Sequence, residues 1–185
     1  MTVEQQEKML STQRLILNRR RLFKHYEIFI YAGLPMFVSF VGFIIFEIQA
    51  GTSKFVSPVL ILLALPVLGL LTFFNQYRGL RFTKLNTTLS KEQNYQTAKE
   101  AVQQLKWRLK VDNKGFLEAF NPFSDIRTWG DEMISIVITD HQILINSICN
   151  VDGILSQAAL SFGKNRQNIR RFCKEFNSIE QLKNS

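Results

Sequence analysis

Two histidines are all the imidazole the chain has, so any nucleophile–base pair has to use one of them. His25 follows a basic cluster and precedes an apolar run. His141 falls in Asp140-His141-Gln142, a polar trio between two strand-like segments, where turn residues are expected in any case. No HExxH, no GxSxG and no paired Cys/His set occurs. Cys149 and Cys173 form neither a CxxC redox pair nor a metal-ligand pattern, and their apolar settings read as buried free thiols. Asp131-Glu132 and Asp140 flank one strand as solvated ends. We therefore expect no catalytic residues, no metal ligands and no cofactor.

One stretch has the makings of a binding site. Ser161-Phe162-Gly163-Lys164-Asn165-Arg166 opens the last helix. A helix start presents free N–H groups, Gly163 lets a ligand approach the backbone, and Lys164 and Arg166 add positive charge. That combination suits a phosphate or carboxylate at Gly163, Lys164, Asn165 and Arg166. The competing reading is a helix entry turn with solvated basic residues. It is not a P-loop, which needs GxxxxGK[ST]. Phe123 and Trp129, with Arg127 between them, form a second candidate, readable as partner contact, membrane contact or a plug for the core.

The elements that would position these groups divide the chain in two. Ile28–Ile48 and Phe55–Phe74 are apolar runs of 21 and 20 residues; the first has no charge before Glu47, and the second has none. About 20 apolar residues in a helix span a bilayer core. The spacing predicts a two-helix transmembrane hairpin over 28–74, with spans 28–48 and 55–74 joined by a polar turn. Residues 1–27 hold six Lys/Arg against three Glu and read as a basic cytoplasmic helix. Residues 75–89 read as a connector, and 90–185 as a cytoplasmic domain. Arg19, Arg20, Arg21 and Lys24 on one flank, with Arg78 and Arg81 on the other, outnumber the single Lys54 of the turn. The positive-inside rule then places both termini in the cytoplasm of a multi-pass inner-membrane protein. The same cluster would meet anionic inner-leaflet lipids of the bilayer. That explains the pI of about 9.7 without nucleic acid, which is not expected as a partner. A charge-free interior argues against transport. Gly33, Ser39, Gly42 and Gly69 would let helices approach closely, either within the hairpin or between copies in a homo-oligomer.

In the domain, Ser90-Lys91-Glu92-Gln93 fits a capping box, and Tyr95, Ala98, Val102 and Leu105 follow at helical spacing. Trp107, Leu109 and Val111 alternate as a strand. Asp112–Gly115 is a turn with Gly115 where positive φ is needed, and Phe116–Phe120 returns. Glu132–Thr139 and Ile143–Cys149 are Ile- and Val-rich strands, and Asn165–Ile179 is a closing helix. The fold class is α+β: a four-stranded antiparallel sheet with two helices on one face, behind the membrane hairpin.

Ile143-Leu144-Ile145-Asn146-Ser147, then Gly163-Lys164-Asn165 with Ile169 after it, resembles a bacterial domain of unknown function. That domain shows a serine-bearing strand followed by a G-x-N-x-x-x-I helix opening. The likeness covers about the last hundred residues and implies a fold, with no catalytic residues to carry over. The sequence thus points to a membrane-anchored interaction or scaffold protein with an unknown protein partner. The alternative is a sensor or enzyme binding an anionic small molecule or lipid headgroup at the last helix.

Overall fold

The computed structural model describes residues 3–27, 34–50, 67, 69–71, 73–121, 132–149 and 163–184. Strands β1 (Thr83–Asn86), β2 (Arg108–Asn113), β3 (Phe116–Asn121), β4 (Glu132–Thr139) and β5 (Gln142–Cys149) form one antiparallel sheet in the order β1-β5-β4-β3-β2. β2 to β5 run as a meander, and β1 returns to pair with the outer edge of β5, Thr83 opposite Ile145 and Asn86 opposite Gln142. The expected four-stranded sheet therefore has five strands. β1 lies in the stretch read as a connector. Its alternation is faint because Thr83, Lys84 and Asn86 are exposed, as suits an edge strand that must not recruit another chain.

Period two sorts the strand residues onto two faces. Leu117, Ala119, Ile134, Ile136, Ile138, Ile143 and Ile145 point one way. They pack under α4 (Lys91–Gln104) and α5 (Lys164–Asn184), which contribute Ala98, Ala101, Val102, Phe172 and Phe176. The capping box forms: Ser90 accepts from the Gln93 N–H, and the Gln93 side chain accepts from the Ser90 N–H. Just past the end of α4, Lys106, with a φ of 57°, turns the chain so that Trp107 enters the core at the head of β2.

The opposite face is buried as well. Phe116, Phe120, Met133, Val137, Leu144 and Ile148 pack against Met9, Leu15, Leu17 and Leu80. The cover is an N-terminal arm made of α1 (Val3–Thr12) and α2 (Arg19–His25), with non-helical residues 13–18 between them. Gln13, at φ 51°, breaks the helix expected over 1–27. Leu15 N–H then donates to Leu80 (2.8 Å) and Phe82 N–H to Gln13 (3.0 Å), so the arm pairs with the strand entering β1. The sheet is thus the middle of three layers, which is why β4 is buried along both faces.

The membrane expectation is corrected. No helix among the described residues is long and apolar enough to cross a membrane. Within the first apolar run the described helix is α3 (Leu34–Ala50), of 17 residues. Most of the second run lies outside the described residues. The transmembrane hairpin with spans 28–48 and 55–74, the integral-membrane assignment and the multi-pass inner-membrane location with cytoplasmic termini are overturned on this ground.

Candidate functional site

At one end of the sheet the apolar pattern gives way to polar side chains without changing its period. On the helix-covered face Asn121, Glu132 and Ser147 stand where Ile and Leu would continue the row, and all three are buried. The first turns of α5 answer in kind. Asn165 and Asn168 precede Phe172 and Phe176 on the buried side, so polar meets polar and apolar meets apolar along one interface. Asn168 donates to Ser147 Oγ (3.2 Å) and Glu132 Oε2 (3.5 Å). Asn121 donates to Asn168 Oδ1 (3.0 Å) and Glu132 Oε2 (3.3 Å), and Ser147 donates to Asn165 Oδ1 (3.2 Å). Glu132, read from the sequence as a solvated strand end, is 4% exposed.

This network decides how the opening of α5 is built. Gly163 has a φ of +83°, a conformation that glycine adopts readily and other residues rarely do. Asn165, however, turns inward to Ser147, whereas Arg166 is exposed and Lys164 half-exposed. The four residues expected to hold an anion are adjacent in the chain, yet their side chains do not converge. Ser161, Phe162, Phe123, Arg127 and Trp129 lie outside the described residues.

Convergence occurs instead on the other face, under the arm. Met9, Leu15, Leu17, Phe116 and Met133 wall a cavity of about 430 Å³ between arm and sheet. Its lining also includes Arg20, Arg21, Lys110 and Glu118. Glu118, 4% exposed, accepts from Arg21 Nη1 (2.8 Å) and Nη2 (3.0 Å), and Lys110 Nζ lies 4.0 Å from its Oε1. The fork-to-fork pair fixes the guanidinium plane at the cavity. Three cations against one carboxylate leave the site net positive.

α2 explains how Arg20 and Arg21 arrive there. Asn18 caps the helix by accepting from the Arg21 N–H (2.8 Å), which starts the turn with Arg19, Arg20 and Arg21 in its first three positions. Their fates differ: Arg19 is exposed, Arg20 is exposed where it lines the cavity, and Arg21 is drawn onto Glu118. Lys24 is half-buried in the last turn, while Arg78 is exposed on the helical stretch 73–79 and Arg81 on the segment leading to β1. The basic cluster is therefore divided among separate environments. The signal that finds this site in the sequence is Glu118, a carboxylate at the centre of FLEAF, which must meet a cation once both sheet faces are covered.

His141 serves a turn, and the two thiols have raised thresholds. His141, at φ 56°, closes the β4–β5 turn and donates its N–H to Leu89. Cys149 and Cys173 are free and half-buried. Burial pushes both thiols above their usual range, and at Cys149 the Glu132 charge pushes the same way, so neither is primed as a nucleophile. Among the described residues no group of three or more His, Cys, Asp or Glu is placed to hold a metal ion. No protein-family model matches the chain, and no curated protein shows significant similarity to it.

Proposed function

We propose that this chain is a binding module for an anionic ligand, held at the cavity between the N-terminal arm and the sheet rather than at the opening of α5. The observation that carries the reading is the seating of Arg20, Arg21 and Lys110 around one cavity, with Arg21 oriented in advance by a buried carboxylate. A guanidinium held in place loses little freedom on meeting a carboxylate or phosphate, which favours binding over non-specific attraction. At the opening of α5, by contrast, Asn165 turns inward to Ser147 and Arg166 is exposed.

Thermal unfolding of the full chain at constant ionic strength tests this, with inorganic phosphate or acetate replacing chloride. A ligand that binds only the folded state raises the melting temperature with the logarithm of its concentration once that exceeds Kd. The rise is expected to disappear in the Arg20→Ala/Lys110→Ala variant and to persist in Lys164→Ala/Arg166→Ala. The opposite pattern would move the site back to α5.

A protein-interaction role is the second reading, favoured by the solvent-exposed Phe37, Val38, Ile45 and Phe46 of α3. Contiguous apolar surface of this kind marks a contact site. Photo-crosslinking from position 38 or 46 would trap the partner; an absence of crosslinks in cells would remove this role.

A further inference from the structure

The cavity under the arm has a second property that a site for a bare inorganic anion would not need. Below the level of its cations it is walled by Met9, Leu15, Leu17, Phe116 and Met133, each at most 9% exposed. Two of the five are methionines, whose flexible thioethers adapt to varied apolar shapes. At about 430 Å³ the cavity falls in the lower part of the range that takes small molecules. That is room for an alkyl chain of the length tested below. Two of its cations, Arg20 and Lys110, are exposed, while the methionines and leucines lie inside beside the Arg21–Glu118 pair.

We infer that the ligand is a single-chain amphiphile, an acyl carboxylate or alkyl phosphate, with its head at Arg20, Arg21 and Lys110 and its tail against Met9, Leu15, Leu17, Phe116 and Met133. This rests on the anion-binding reading above and adds the tail to it. The head is recognised by charge-assisted hydrogen bonds, for which Glu118 keeps the Arg21 plane fixed. The tail is recognised by transfer from water, which is indifferent to chemical detail and sensitive to length. The arm supplies Met9, Leu15, Leu17, Arg20 and Arg21, and the sheet the remainder, so a seated ligand would bridge two layers of the fold.

A chain-length series separates the two claims. Acetate, hexanoate, octanoate and decanoate, with decanol as the uncharged control, are titrated into the full chain below micelle-forming concentrations and followed calorimetrically. Each buried methylene is expected to tighten binding about fourfold until the cavity is full, after which affinity levels off. Decanol should bind far more weakly than decanoate, and Arg20→Ala/Lys110→Ala should erase that difference while leaving the fold intact by circular dichroism. Equal affinity for acetate and decanoate would overturn the tail and leave the anion site standing. Equal affinity for decanol and decanoate would overturn the anion site itself, and an absence of binding throughout would overturn both. Because the series is read on the unaltered chain, no outcome depends on a variant that fails to fold.

Discussion

Arg21 and Glu118, 97 residues apart, meet fork to fork, with both guanidinium nitrogens within 3.0 Å of the two carboxylate oxygens. The pair joins α2 of the arm to the middle of β3, and Glu118 is 4% exposed. A carboxylate so buried is tolerated because its charge is answered. Arg21→Ala leaves Glu118 with only Lys110 at 4.0 Å, and a loss of about 2–4 kcal/mol is expected in denaturant unfolding. Arg21→Met with Glu118→Leu should recover most of that loss, since the penalty comes from the stranded charge. A double variant as unstable as the single one would show that the pair holds the arm by geometry instead.

His25 gives the arm a pH dependence. Its ring is 3% exposed, Nε2 donates to the Gln76 carbonyl (3.1 Å), and Nδ1 has no hydrogen-bond partner. Burial holds its pKa below the ordinary 6.5, with the Gln76 hydrogen bond opposing more weakly. The folded chain thus keeps His25 neutral, while the unfolded chain takes up a proton as pH falls through about 6.5. The contribution is complete above that value and declines as pH drops from 6.5 toward the folded pKa. In unfolding titrations from pH 7.5 to 5, His25→Phe should flatten this slope. An unchanged slope would assign it to another group.

The helix-covered face was legible because its signals are local and periodic. Ser90 and Gln93 announce the start of α4, and Ile134, Ile136 and Ile138 declare their shared side of β4. The second covered face was not legible, because its cover comes from a part of the chain read as belonging elsewhere. Arg19–Lys24 looked like a headgroup cluster, since three consecutive arginines before an apolar run have that meaning in isolation. Only the position of Glu118 across the sheet shows what Arg21 is for. Glu118, Ser135 and Asn146 occupy one register row on that face, polar positions in otherwise apolar strands. Glu118 answers Arg21 of the arm and Asn146 donates to the Gly79 and Arg81 carbonyls, pairings readable only once the register is known. β1 went unread because an exposed edge strand carries little alternation.

The polar end of the α5 interface should be sensitive to changes of a single atom. Asn168 donates to both Glu132 and Ser147 and accepts from Asn121. Asn168→Ala removes three hydrogen bonds and leaves buried groups short of partners, at a cost of about 1–3 kcal/mol. Asn168→Asp keeps the shape but sets a second carboxylate beside Glu132, and it should cost more than the alanine at neutral pH. Raising the temperature in steps while following α5 by hydrogen exchange would rank the two. An aspartate no less stable than the alanine would show that shape, and not charge, sets the cost at this position.

Gly115 tests how the arm is seated. The turn between β2 and β3 was expected to need glycine for a positive φ, but among the described residues Gly163 is the glycine with that conformation. What Gly115 provides is room. The Gln6 side chain of α1 donates to the Gly115 carbonyl (2.8 Å), and a Cβ at position 115 would strike the Gln6 amide. Because the obstacle is the far end of a flexible side chain, Gly115→Ala should leave the sheet intact and displace Gln6, at about 1 kcal/mol for the lost hydrogen bond. Gln6→Ala should lose about as much, and the double variant no more than either alone, because both remove one contact. A cysteine at Met9 should become more reactive to thiol reagents in each variant as α1 loosens. Full additivity with unchanged reactivity would show that α1 is held elsewhere.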